Sequence, residues 1–164
     1  MTSSSPQTLE KISGIDSVTV LLIDDSPDNL MILGDILERI GYQVVCAEDG
    51  ESGLERAKCV QPDLIFMDVK MPGLDGFQVC ERLRAQKNFQ HTPIILMSAQ
   101  SDSTNLELAL GAGASEFWPK PISPGKILNE LPGFFARRSR VPRLLHQNYG
   151  NQNQHSPTFS TPSL

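Results

Sequence analysis

The sequence predicts a doubly wound α/β domain, a five-stranded parallel sheet with helices on both faces. Short runs rich in β-branched or aromatic residues alternate five times with stretches of helical spacing. The runs are apolar almost throughout instead of alternating with polar residues, which suits strands covered on both faces. Parallel neighbours need right-handed crossovers, and the intervening helices supply them.

The elements follow in order. "SVTVLLI" (17–23) is the first strand. "SPDNLMILGDILERIG" then reads as a helix, with Ser26 as N-cap, Pro27 at the first helical position, apolar residues at 33, 36, 37 and 40, and Gly41 as the stop. "YQVVCA" (42–47) is the second strand, and residues 50–60 the second helix. "DLIFM" (63–67) and "PIILM" (93–97) are the third and fourth strands, separated by a helix over 75–86. In the helix over 103–112, Leu106, Ala109, Leu110 and Gly113 share a face and read as core. Leu108 falls off that face and reads as a contact residue. "SEFW" (115–118) is the fifth strand. The last helix, over 123–131, is interrupted by Pro124 and Gly125 and followed by Pro132-Gly133, so it is expected to be short, with Phe134 and Phe135 packing back or serving an interface.

Composition narrows the class. A chain of 164 residues, 39% hydrophobic and 20% charged, fits one globular domain. No apolar run approaches the roughly 18 to 20 residues of a membrane span, and "MTSSSPQTLEK" lacks the basic-then-apolar order of a secretory signal. A cytoplasmic protein is expected. Cys46, Cys59 and Cys80 are odd in number, widely spaced and set in apolar or helical stretches, and read as buried thiols, not a metal or redox site. All 19 acidic residues lie at or before Glu130, whereas residues 137–164 carry Arg137, Arg138, Arg140 and Arg143 and no acid. Residues 1–16 therefore read as a loose lead-in, 17–136 as the folded domain, and 137–164 as a basic, then Gln/Asn-rich disordered tail. The tail's arginines suit a solubilising end or an anionic surface, and no specific nucleic-acid binding is expected.

Ligands of doubly wound folds gather beyond the carboxyl ends of the strands. There the first strand ends in Asp24-Asp25, the third runs into Asp68 within "DLIFMDVKMPGLDG", the fourth ends at Ser98, and the fifth leads to Lys120. Taken singly, each has a plain structural reading: acids ahead of a helix N-terminus, a turn carboxylate, a loop hydroxyl, a surface lysine. Taken together they argue for chemistry. Three clustered carboxylates repel one another unless a cation offsets them, and a hard divalent ion such as Mg²⁺ suits oxygen ligands. An Asp nucleophile can form an acyl phosphate if the charge on the phosphoryl oxygens is neutralised by such an ion and by donors such as Lys and Ser.

On these motifs the chain resembles the receiver domain of two-component response regulators, over residues 17 to about 131. "LLIDDSP" is similar to the family's acidic pair, "FMDVKMPGLDG" to its phosphoacceptor stretch, "IILMSA" to its hydroxyl strand end and "FWPKP" to its Lys-Pro signature. The resemblance implies a flavodoxin-like sheet of strand order 2-1-3-4-5 flanked by five helices. It implies that Asp68 is the phosphoacceptor and catalyses, with Lys120 and Ser98, its own phosphorylation and dephosphorylation. A Mg²⁺ or Mn²⁺ ion would be held by Asp25, Asp68 and the backbone carbonyl of Lys70, with Asp24 acting through water. Ser98 and Phe117 would form the switch, Phe117 standing at the family's rotamer-switch position. Implied partners are a sensor histidine kinase or phosphotransfer protein of a phosphorelay and an output protein. Dimerisation would use the face of the fourth helix, fifth strand and fifth helix.

The chain departs from the family at Pro119, which ends the fifth strand; an edge strand tolerates the missing N–H. The Lys120-Pro121 bond is often cis in the family. Only 33 residues follow Leu131, too few for an ordinary output domain, so a stand-alone regulator acting by protein contact is expected, with a receiver cut from a hybrid kinase as the alternative. Two other classes compete. A phosphatase with an Asp nucleophile commonly has "DxD" on its first strand, whereas these acids are adjacent. A receiver-shaped interaction module working without phosphate does not require all five chemical positions.

Overall fold

A computed structural model of the protein describes residues 18–99 and 103–139. The lead-in expected over 1–16 and the tail expected from 140 onward lie outside the described residues. The chain divides into two compact units, one ending at Ile122 and one beginning at Ser123.

The first unit contains a parallel sheet of β1 (Thr19–Ile23), β2 (Gln43–Ala47), β3 (Leu64–Asp68), β4 (Ile94–Ser98) and β5 (Glu116–Pro119), in the order β2-β1-β3-β4-β5. Helices α1 (Pro27–Ile40), α2 (Gly50–Val60), α3 (Gly76–Arg84) and α4 (Ser103–Gly111) connect the strands. The predicted topology is the observed one. The first two strands end where the apolar runs do, the last three extend one residue beyond them, and Asp68 and Ser98 close their strands as expected. Asp68 pairs in register with Met97, and Ser98 with Pro119. Pro119 lies on the edge strand, where its missing N–H breaks no ladder bond.

Side-chain parity divides the core. Leu21, Ile23, Ile65, Met67, Ile94 and Leu96 pack with Leu54 and Ala57 of α2, Val79, Cys80 and Leu83 of α3, and Ala109 of α4. The opposite parity places Phe66 against Trp118, ring centroids 5.4 Å apart in an edge-on arrangement. Helix α1 packs Gly34 beside Val44, on that second parity. Its ends are as predicted: the Ser26 hydroxyl accepts the Asn29 N–H, Pro27 stands in the first turn, and Gly41 ends the helix at φ +107°.

Three expectations need correction. Of the residues expected as core on α4, Ala109 is buried, but Leu106 and Leu110 are 44 and 56% exposed; Ala112, just past the helix, is buried instead, and Leu108 is exposed, as expected of a residue off the core face. Small side chains bring α4 onto the sheet and turn the leucines outward, so hydrophobicity alone misassigned the face. Cys59 is exposed and Cys46 half-buried, leaving Cys80 as the buried thiol. The buried face of α2 is Gly50, Gly53, Leu54 and Ala57, and Cys59 falls off it. In the second unit, α5 runs Pro124–Ser139, well past the expected end. Pro124 starts this helix instead of breaking it, because the first turn needs no N–H donor from it. The Ser123 hydroxyl accepts the Lys126 N–H, and Lys126 pairs with Glu130 at 3.0 Å. Ile127 and Leu131 are buried one turn apart, and such burial outweighs the local cost of Pro132 within the helix.

Arg84, unremarked in the sequence, staples the far edge of the sheet. Its guanidinium donates to the carbonyls of Gly113, Phe89 and Thr92, tying the α4–β5 turn to the segment entering β4.

Gly76 governs the approach of α3 to the end of β3. A Cβ there would lie 2.5 Å from the Asp68 carbonyl oxygen and 2.9 Å from the Val69 Cα. Both are backbone atoms that cannot swing aside. Gly76→Ala should therefore cost about 1–3 kcal/mol in urea denaturation. Gly111→Ala, where a Cβ meets nothing within 4 Å, should be neutral or stabilise by up to about 1 kcal/mol. Equal effects at the two positions would contradict this account of the loop.

Candidate functional site

The polar residues predicted at the carboxyl edge of the sheet do come together. Asp24 follows β1, Asp68 ends β3, Ser98 ends β4 and Lys120 follows β5. Asp24, Asp68 and Ser98 are buried, unlike Asp25, which is exposed. Carboxylate oxygens of Asp24, Asp25 and Asp68 lie within 4.8 Å of one another. Local backbone bonds fix these positions. The Asp24 N–H donates to the Ala47 carbonyl, the Val69 N–H to that of Met97, and the Lys120 N–H to that of Ser98 at 2.7 Å.

Lys120 connects three strands. Its Nζ is 2.9 Å from Asp24 Oδ2 and 3.3 Å from Asp68 Oδ1. The Lys120-Pro121 bond that follows is cis. Asp24 is held further by the Ser26 N–H on Oδ1 and by the Asn29 side-chain amide on Oδ2, at 2.9 and 3.2 Å. Sequence reasoning missed Asn29. The Asp24-to-Ser26 bond is a common turn in which an aspartate caps the backbone two residues on, and it aims the following helix so that residue 29 faces Asp24.

The electrostatics are strained by design of charge. Burial raises the pKa of Asp68 above the ordinary aspartate value; Lys120 opposes this, while the charges of Asp24 and Asp25 add to it. Burial works against the Lys120 ammonium, but its bond to Asp24 and the charges of Asp68 and Asp24 outweigh this and hold its pKa above the ordinary lysine value. One ammonium among three carboxylates leaves the cluster negative when all are ionised. An all-oxygen donor set of this kind fits a hard divalent cation.

Other predicted residues are less central in this conformation. Lys70 is exposed on the loop just after β3, two residues from Asp68. Phe117 is half-buried against the core cluster, on the neighbouring edge strand. Trp118 beside it is buried, its indole N–H donating to Glu116 at 2.8 Å.

Comparison with known proteins agrees with this geometry. Residues 20–132 match the family model of the response regulator receiver domain. The chain is 38% identical over 122 residues to the alkaline phosphatase synthesis transcriptional regulatory protein PhoP of Bacillus subtilis, covering 74% of this chain and 50% of PhoP. It thus spans half the length of that relative. Against protein PilH of Pseudomonas aeruginosa it is 32% identical, covering 71% of this chain and 97% of PilH. Among solved structures, the receiver domain of sensor histidine kinase PA1611 from Pseudomonas aeruginosa superposes with a TM-score of 0.68 at 29% identity, covering 74% of this chain and 99% of that one. That structure has a magnesium ion coordinated in its active-site cleft. Sheet order, the acidic cluster with its bridging lysine, and the family match lead to one conclusion: this chain belongs to the response regulator receiver domain family.

Proposed function

We propose that Asp68 accepts a phosphoryl group from a histidine of a sensor kinase or phosphotransfer protein and that the aspartyl phosphate switches binding to an output partner. The observation that carries this reading is the placement of Lys120 Nζ 3.3 Å from a buried Asp68 carboxylate inside a three-carboxylate cluster. Asp24, Asp25, Asp68 and the backbone carbonyl of Lys70 would hold Mg²⁺ or Mn²⁺, Asp24 through water. When bound, the ion neutralises charge on the phosphoryl oxygens.

The chain's own residues do the rest. An Asp68 oxygen attacks phosphorus; the bond from phosphorus to the donor nitrogen breaks, and its electron pair leaves with the imidazole. Lys120 transfers its contact from the Asp68 carboxylate to a phosphoryl oxygen, a charge-assisted bond that strengthens as charge develops there. Ser98, buried at the end of β4, donates its hydroxyl to another phosphoryl oxygen, and Phe117 changes rotamer behind it. These contacts exist only in the phosphorylated form, so they bias a two-state equilibrium. The exposed leucines of α4 next to β5 supply an apolar surface for an output partner or a second copy of the chain. PilH is matched over 97% of its own length and PhoP over 50% of its own, so a stand-alone, a transcription-factor and, with PA1611, a kinase context are all represented among the similar proteins.

Incubation with acetyl phosphate and Mg²⁺ should add one phosphoryl group by intact mass. The gain should vanish in Asp68→Asn and without the metal, and Lys120→Ala should slow it by about 10²-fold. No gain in a folded wild type would overturn the reading.

The raised pKa of Asp68 has a thermodynamic consequence. Folded, this carboxyl holds its proton more tightly than in the unfolded chain. The stability it contributes is full below 3.8, its ordinary value, and is lost as pH rises through the higher folded value. At neutral pH, ionised Asp68 therefore destabilises the metal-free fold. Asp68→Asn should raise the Tm at pH 7 without Mg²⁺, the advantage shrinking as pH falls toward 3.8, and added Mg²⁺ should stabilise wild type more than the variant. A variant no more stable than wild type at pH 7 would contradict this.

A further inference from the structure

Among the described residues, two side chains of different kinds donate to Asp24 Oδ2. Lys120 Nζ reaches it at 2.9 Å from just beyond β5, and the Asn29 amide at 3.2 Å from the first turn of α1. Asp24 is 1% exposed, and its other oxygen, Oδ1, accepts the Ser26 N–H. A buried carboxylate oxygen left without a donor is costly, so the donors on Oδ2 matter at every stage of the reaction.

Lys120 has a second claim on it. Its ammonium also lies 3.3 Å from Asp68 Oδ1, and in the transfer proposed above it turns to a phosphoryl oxygen. The phosphoryl group brings negative charge of its own to the ammonium, and what Lys120 gives to that group is taken from Asp24. Asn29 is placed to stay behind. The Ser26 hydroxyl accepts its backbone N–H at 3.4 Å, and α1 carries it independently of the segment that carries Lys120. A neutral amide is also drawn to an anionic phosphoryl group far less than an ammonium is.

We infer that Asn29 is a positioning residue for phosphoryl transfer, the donor that keeps Asp24 Oδ2 satisfied as Lys120 moves to the phosphoryl group. This rests on Asp68 being the phosphoacceptor. Asn29 acts through Asp24: its amide exchanges no proton and forms no bond to phosphorus. Removing the amide therefore has unequal effects along the reaction. In the resting site Oδ2 keeps Lys120 and little is lost. Once Lys120 has turned away, Oδ2 is left with neither donor, so the loss falls on the state being formed and slows the step. An aspartate at position 29 is worse, because it has the size of asparagine, offers no amide, and adds a charge that holds Lys120 back.

The test is a double-mutant cycle on the full chain, reading the rate of Asp68 phosphorylation by acetyl phosphate at saturating Mg²⁺ through intact mass. Asn29 is exposed, so its variants keep the fold. Asn29→Ala should slow the wild-type rate about tenfold, the scale of a charged acceptor losing its donor, and Asn29→Asp should slow it further. In a Lys120→Ala chain no ammonium departs, Oδ2 is equally short of donors before and after the step, and Asn29→Ala should change the rate by less than about twofold. Equal slowing in both backgrounds is the mark of a residue that only shapes the site, and would overturn the inference while leaving the phosphoacceptor standing. Asn29→Ala reacting at the wild-type rate would overturn it as well. No phosphorylation of folded wild type would overturn the phosphoacceptor reading, and the inference with it.

Discussion

The bridge from Lys120 to Asp24 and Asp68 is the interaction on which the rest depends. It joins the ends of β1, β3 and β5 through one ammonium, across a separation of 96 residues between Lys120 and Asp24. Two buried carboxylates at the edge of an apolar sheet would otherwise be costly, because burial penalises the charged form and each acid repels the other. Lys120 offsets part of that cost. What remains uncompensated is negative charge of the kind a divalent cation offsets.

The fold converts this electrostatic tension into geometry. Parallel pairing sets Asp68 opposite Met97 and Ser98 opposite Pro119, so the carboxylate and the hydroxyl are positioned by ladder bonds and not by loop conformation. Gly76 lets α3 begin against the backbone of Asp68, and the reciprocal cap between Asp75 and Gln78 fixes where that helix starts. Asn29 and the Ser26 N–H hold Asp24 from the other side. A carboxylate held this firmly has little conformational entropy left to lose, which is the advantage of building a site on strand ends.

Much of this was legible in the sequence because the signals were local and chemical. Ser26, Pro27 and Gly41 bound a helix through caps whose partners are a turn away, and continuous apolar runs marked strands covered on both sides. The acidic pair, Asp68, Ser98 and Lys120 could be gathered because parallel topology brings strand ends to one edge. Where the outcome depended on packing, the sequence was a poorer guide. Leu106 and Leu110 look like core by hydrophobicity, yet of that face it is Ala109 that is buried, with Ala112 just past the helix. Pro124 reads as a breaker until its place in the first turn is known. Asn29 and Arg84 carry no motif, and their roles arise from distant carbonyls and carboxylates that only the folded chain brings within reach.

The most direct test of this picture is the titration of the Asp68 carboxyl carbon by ¹³C NMR, with and without Mg²⁺. A midpoint above that of an aspartate in a peptide, falling when Mg²⁺ is added, is the behaviour of a carboxylate held under tension that a divalent cation relieves. An ordinary midpoint unmoved by the metal would mean that the cluster is not the strained, cation-seeking centre described, and the account of the site would fail with it.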